Sequence, residues 1–120
     1  MKTLFYQPTQ SKEEIIVNSD ETFVLLAENM FTEQEIIFRL TKRGTELRVL
    51  GLEARSKEEK TLRIKIEHLT EDTKSRLDFR SLLASQAKST LYGMIEIHDE
   101  ARGADAYFSH RTLLLEKNGE

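Results

Sequence analysis

The chain has 120 residues, 38% hydrophobic and 32% charged, with a net charge of −3; that is one-domain length with an ordinary globular balance and no electrostatic draw toward nucleic acid or an acidic membrane. No apolar run approaches the ~20 residues of a membrane span, and the opening MKTLFYQPTQ lacks the apolar centre of a signal peptide, so a single cytoplasmic domain over residues 1–120 is expected. Cysteine is absent, which removes disulfides, thiolate nucleophiles and thiolate ligands for a metal or cluster.

Candidate strands open the chain at Thr3–Tyr6, Glu14–Val17 and Thr22–Ala27. The stretch Thr32–Leu40 has the length of a short helix, yet Ile36, Phe38 and Leu40 also alternate. A strand is predicted at Glu46–Leu50. In TLRIKIEH, Leu62, Ile64 and Ile66 point one way and Arg63, Lys65 and Glu67 the other, the pattern of a half-buried strand. Leu77 and Phe79 alternate in the same way with Arg76, Asp78 and Arg80, and Leu91, Gly93, Ile95 and Ile97 oppose Tyr92, Met94 and Glu96. The last two predicted strands are Ala104–Phe108 and Thr112–Glu116. The apolar run Leu113–Leu115 predicts burial on both faces or against a partner.

The separators Asn18-Ser19-Asp20, Lys42-Arg43-Gly44, Ser56-Lys57-Glu58-Glu59 and Lys117-Asn118-Gly119 are polar, and three of them carry Gly or Asn suited to positive φ. Pro8, the single proline, lies near the N-terminus, where it removes no bond from a central strand. This strand rhythm suits a sandwich, a barrel or a β-helix. The predicted core is Ile64, Ile66, Leu77, Phe79, Leu91, Ile95 and Ile97, and the predicted solvent face holds Arg63, Lys65, Arg76 and Asp78. Gly93 interrupts an inward face, which marks close approach by a neighbour. Ala101, Ala104 and Ala106 fit the same crowded interior.

Candidate sites are few. The outward charges Arg63, Lys65, Glu67, Arg76, Asp78 and Arg80 read as cross-strand pairs on a solvated sheet face, with an anion-binding groove as the alternative. His68, His98 and His110 are far apart in sequence, and none sits at a metal-ligand spacing. His68 continues the inward series Leu62, Ile64, Ile66, so it is expected to be partly buried and bonded to a neighbour. A cupin-type His-x-His pair fails because position 100 is Glu100. The carboxylate pairs Glu13-Glu14, Glu58-Glu59 and Asp99-Glu100 are adjacent, so on a strand they face opposite ways. There is neither a Gly-rich phosphate loop nor a Gly-x-Ser-x-Gly turn. No catalytic or metal residue is assigned, and no cofactor is expected.

The segment His68–Leu115 carries a resemblance. His68 is followed by Thr73 and Ser75, then by Ala87, Ser89, Gly93, Ile95 and Ile97 in AKSTLYGMIEI. Ala101, Asp105, Ala106 and Tyr107 follow in ARGADAY, and Leu113, Leu114 and Leu115 close the run. This ordered set resembles the central-to-late part of the SufB/SufD family, scaffold proteins of iron–sulfur cluster assembly. The resemblance implies an all-β chain folded as a truncated right-handed parallel β-helix. It implies a non-catalytic scaffold or interaction component, and as partners a second copy or a SufB/SufD-like protein and a complex with a SufC-like ATPase. Two departures bear on function. Relatives often carry Gly where this chain has Ser81. The family's proposed cluster-assembly cysteine and histidine have no counterpart in the matched stretch. The interface expected from the resemblance is Phe108, Leu113, Leu114 and Leu115. A different reading is a β-solenoid or sandwich binding a small ligand or sugar, which calls for an exposed aromatic patch; Tyr6, Tyr92 and Tyr107 are the only tyrosines, and there is no Trp.

Overall fold

Alternating apolar and polar side chains favour a strand with one buried face, and strands dominate the chain in a computed structural model that describes residues 1–55, 59–84 and 88–115. In chain order they are β1 (Lys2–Tyr6), β2 (Lys12–Val17), β3 (Glu21–Leu26), β4 (Glu33–Leu40), β5 (Glu46–Arg55), β6 (Glu59–His68), β7 (Lys74–Ala84), β8 (Lys88–Ile97) and β9 (Asp105–Leu115). Odd-numbered strands stack as one sheet, β1-β3-β5-β7-β9, and even-numbered strands as a second, β2-β4-β6-β8. Every pairing is parallel. The chain therefore winds alternately through the two sheets as a parallel β-helix, with extents of 51 × 28 × 25 Å.

Of the two readings open for Thr32–Leu40 the alternation holds: the segment contains a strand, with Gln34, Ile36, Phe38 and Leu40 facing the interior between the sheets. Several sequence expectations are corrected. β5 runs on to Arg55, five residues past its predicted end. Ala104–Phe108 and Thr112–Glu116 are not two strands; described residues 105–115 form the single strand β9, because it pairs along its whole length with the equally long β7. Ala27 leaves β3 for a short 3-10 turn at Ala27–Asn29. The separator positions 56–58, Ala87, Glu116 and the turn at 117–119 lie outside the described residues.

The corners follow the turn chemistry in part. Gly44 has φ 76° as its separator suggested, and Asp72 (φ 56°) and Gly103 (φ 73°) take the left-handed conformation at the same corner of the next two coils. The corners stack through Gly44 N–H donating to Glu71 O at 3.2 Å and Asp72 N–H to Arg102 O at 2.8 Å. Asp and Gly are residue types that adopt this conformation readily.

The core lies between the sheets as rows of side chains in register. Phe23, Val49, Leu77 and Phe108 form one row of the odd sheet. Phe38, Ile66 and Ile95 form one row of the even sheet. Ile64, Ile66, Leu77 and Phe79 are buried as predicted, and Arg63 and Arg76 are exposed. Leu91 and Ile95 are half-buried and Ile97 is 51% exposed, because among the described residues β8 is an edge strand covered on one side only. Lys65 and Asp78 are half-buried rather than exposed, held down by ion pairs.

Gly93 does mark a close approach. The neighbour is the ring of Phe108: a Cβ on Gly93 would stand 2.0 Å from Phe108 Cε2. Gly51 is an equivalent site that the sequence reading passed over. There a Cβ would meet the buried Phe79 ring at 2.0 Å.

Candidate functional site

Among the described residues, two polar clusters containing histidine interrupt the apolar interior, and each is built by alternation that carries a polar residue onto an inward row. His68 ends β6 in register with Leu40 and Ile97. It is fully buried, with Nδ1 2.8 Å from Thr73 Oγ1 and Nε2 2.9 Å from Ser75 Oγ. Thr73 Oγ1 donates its proton to Thr70 O at 3.1 Å. Thr73 must therefore accept from His68 Nδ1–H, and Nε2 accepts from the Ser75 hydroxyl. Both ring nitrogens of a neutral imidazole are satisfied in this way. Burial pushes the His68 pKa below its ordinary value, against opposing pulls from the Thr73 backbone and from Asp105. The expectation that His68 bonds a neighbour is met, and Thr73 and Ser75 are the residues that follow it in the quoted motif.

The second cluster was not foreseen. Glu53 and Ser81 are adjacent in register between β5 and β7, and both are buried. Ser81 Oγ donates to Glu53 Oε1 at 2.9 Å, and His110 Nε2 lies 3.1 Å from the same hydroxyl. With the serine proton committed to the carboxylate, His110 acts as the donor. This order is the reverse of an activated serine, which gives its proton to histidine. Phe79 packs edge-on to the imidazole at 5.7 Å. The sequence held a usable signal: extending the alternation Leu47, Val49 forward turns Gly51 and Glu53 inward and Leu50 and Leu52 outward.

His98 stands apart, with Nε2 2.9 Å from Glu96 Oε1, an ion-pair distance without hydrogen-bond alignment. The three histidines are not brought together, and among the described residues no group of three or more His, Asp or Glu side chains is placed to hold a metal. The tyrosines are also dispersed. Tyr6 packs on Phe23, Tyr92 lies under Arg63 and Tyr107 lies under Arg76.

The outer faces of the two sheets differ in how they treat charge. On the even sheet, Arg39 bridges Glu14 at 3.2 Å and Glu67 at 2.9 Å, and Lys65 bridges Glu67 at 3.2 Å and Glu96 at 2.8 Å. Glu96 and Glu67 raise the Lys65 pKa, and Lys65 lowers that of Glu96. This is the expected cross-strand ladder. On the odd sheet, Arg76 pairs along its own strand with Asp78 at 2.9 Å, and Arg80 faces Arg111 in register.

The expected interface residues divide by face. Phe108 points inward over Gly93 and remains 38% exposed at the edge strand. Leu113 points outward and is 61% exposed, so the doubly buried reading of Leu113–Leu115 fails at this residue. The side chains of Leu114 and Leu115 lie outside the described residues.

Residues 18–120 match the family profile described as the SUF system FeS cluster assembly SufBD core domain. The chain belongs to the SufBD core family. The parallel β-helix and the His68–Thr73–Ser75 cluster both fall within the matched span of this SufBD core domain. No curated protein and no solved structure gives a significant match. Among the described residues of the SufBD core domain, no helix is long and apolar enough to cross a membrane.

Proposed function

We propose that the chain is a non-catalytic scaffold component of iron–sulfur cluster assembly, working in the cytoplasm. The match of residues 18–120 to the SufBD core carries this reading. The ordered β-helix supports it, since a solenoid offers long, rigid faces and edges for partners. The partner is a second copy or a SufB/SufD-like chain, with a SufC-like ATPase as a further member of the complex. Contact is made at the end where β8 and β9 are edge strands, through Phe108 and the Leu113–Leu115 stretch.

Co-expression tests the reading. The chain, expressed with the SufB-like and SufC-like proteins of its own source, is expected to elute with them as one species. Deleting its gene is expected to lower the activity of iron–sulfur enzymes. Separate elution together with unchanged enzyme activity in the deletion strain would refute the assignment.

A further inference from the structure

The outer face of the odd sheet has a feature that folding does not explain. Its central row is Leu52, Arg80 and Arg111, in register on β5, β7 and β9. Adjacent parallel strands lie about 4.8 Å apart, so two guanidinium-bearing side chains leave neighbouring backbone positions on the same face. Like charges directly opposite are destabilising. Both arginines are exposed, and among the described residues neither has a carboxylate partner. The nearest acid on the face, Asp78, is committed to Arg76, and Arg48 is paired with Glu46 at 3.7 Å. The even sheet shows that this chain can pair its surface charges when they serve only stability.

Exposed leucines flank the arginine pair on two sides. Leu50 and Leu52 on β5 are 44% and 52% exposed, and Leu82 and Leu113 in the next row are 37% and 61% exposed. Between β5, β7 and β9 the surface is hollowed into a concavity of about 370 Å³, lined by both arginines with Arg76, Asp78, Tyr107 and Ser109 and bordered by Leu50. Arginine and tyrosine are the residues enriched at interface centres. The exposed leucines beside the hollow add apolar surface that a free phosphate would leave uncovered.

We infer that this face docks a segment of a partner protein in which carboxylates are flanked by apolar side chains. Carboxylates accept paired hydrogen bonds from the Arg80 and Arg111 forks, while the flanking apolar groups cover the leucines. A second copy using the same face is disfavoured, since a two-fold contact centred here sets Arg80 and Arg111 against themselves. Nucleic acid is disfavoured by the net charge of −3 and by the leucines. The surface adjoins the β9 edge and has Leu113 in common with the proposed dimer contact, whereas Arg80 and Leu52 lie on β7 and β5, so variants there test it apart from that contact.

The probe is a short fluorescent peptide alternating glutamate and leucine, read by anisotropy against the full chain. Saturable binding that weakens with added salt is expected. Arg80→Glu keeps the fold, because it turns the like-charged neighbours into an opposite-charged pair, and should weaken binding roughly tenfold or more. Leu52→Ser should weaken it as well, and circular dichroism melts should show both variants folded. The inference is overturned if no binding is seen up to about 1 mM, or if Arg80→Glu binds as tightly as the wild type. It is also overturned if a glutamate–serine peptide or inorganic phosphate competes as well as the glutamate–leucine peptide, which would mark a plain anion site.

Discussion

At the residue scale, His68 sets a pH dependence. Its pKa is lowered in the folded state by burial, while an unfolded histidine titrates near 6.5. Below that value the unfolded chain binds the proton that the folded chain resists, so stability falls as pH drops below about 6.5 and is fully present above it. Thermal melts between about pH 7.5 and 5 should show this decline, and His68→Leu should flatten it over that window. An unchanged slope in the variant would mean that another group carries the acid limb. Ile66 is nearly fully buried between the sheets, so Ile66→Ala should cost about 2–5 kcal/mol; a loss below about 1 kcal/mol in denaturant melts would contradict that packing. Gly51→Ala acts in the opposite sense. The new Cβ drives into the buried Phe79 ring, and overpacking of this kind costs about 1–3 kcal/mol.

At the element scale, β9 carries the proposed partner contact. Among the described residues it pairs with β7 and with no strand on its other side, and bare strand edges invite pairing. Its side chains alternate, with Phe108 inward and Leu113 outward. Leu113→Asp therefore places a charge at the proposed contact without disturbing the core. It should give a folded monomer by light scattering with an unchanged circular dichroism spectrum. A Leu113→Asp protein that stays dimeric would move the contact elsewhere on the chain.

At the scale of the whole molecule, the β-helix leaves Ile97 and Phe108 partly exposed at its β8/β9 end. Covering that surface is the reason to expect a wild-type dimer at tens of micromolar, on the order of a Kd of ~1 μM or tighter. A stable wild-type monomer there would defeat the proposed self-association. Cluster chemistry is predicted at the same scale. With no cysteine in the chain, purified protein treated with iron and sulfide should lose its visible absorbance on desalting. A stoichiometric cluster that survived desalting would point to His68, His98 or His110 as ligands and would contradict the buried, fully bonded state of His68.

Much of the fold was legible in the chain itself, because a strand buried on one face shows period-two alternation locally. The runs around Ile64 and Phe79 read correctly for that reason, the run around Ile95 read correctly as a strand but not as a buried face, and composition alone ruled out thiolate chemistry. The ordered motif from His68 to Leu115 pointed to the family and, through it, to a β-helix among the folds that the strand rhythm allowed. What only the tertiary structure decided is which strand lies beside which. Register between coils sets Arg80 on Arg111, Ser81 on Glu53 and the Phe108 ring on Gly93, and each pair is separated by fifteen or more residues in sequence. It also decides exposure at the edges: Ile97 follows the inward alternation of Ile95, yet lies open because burial depends on a covering coil and not on the residue's own strand.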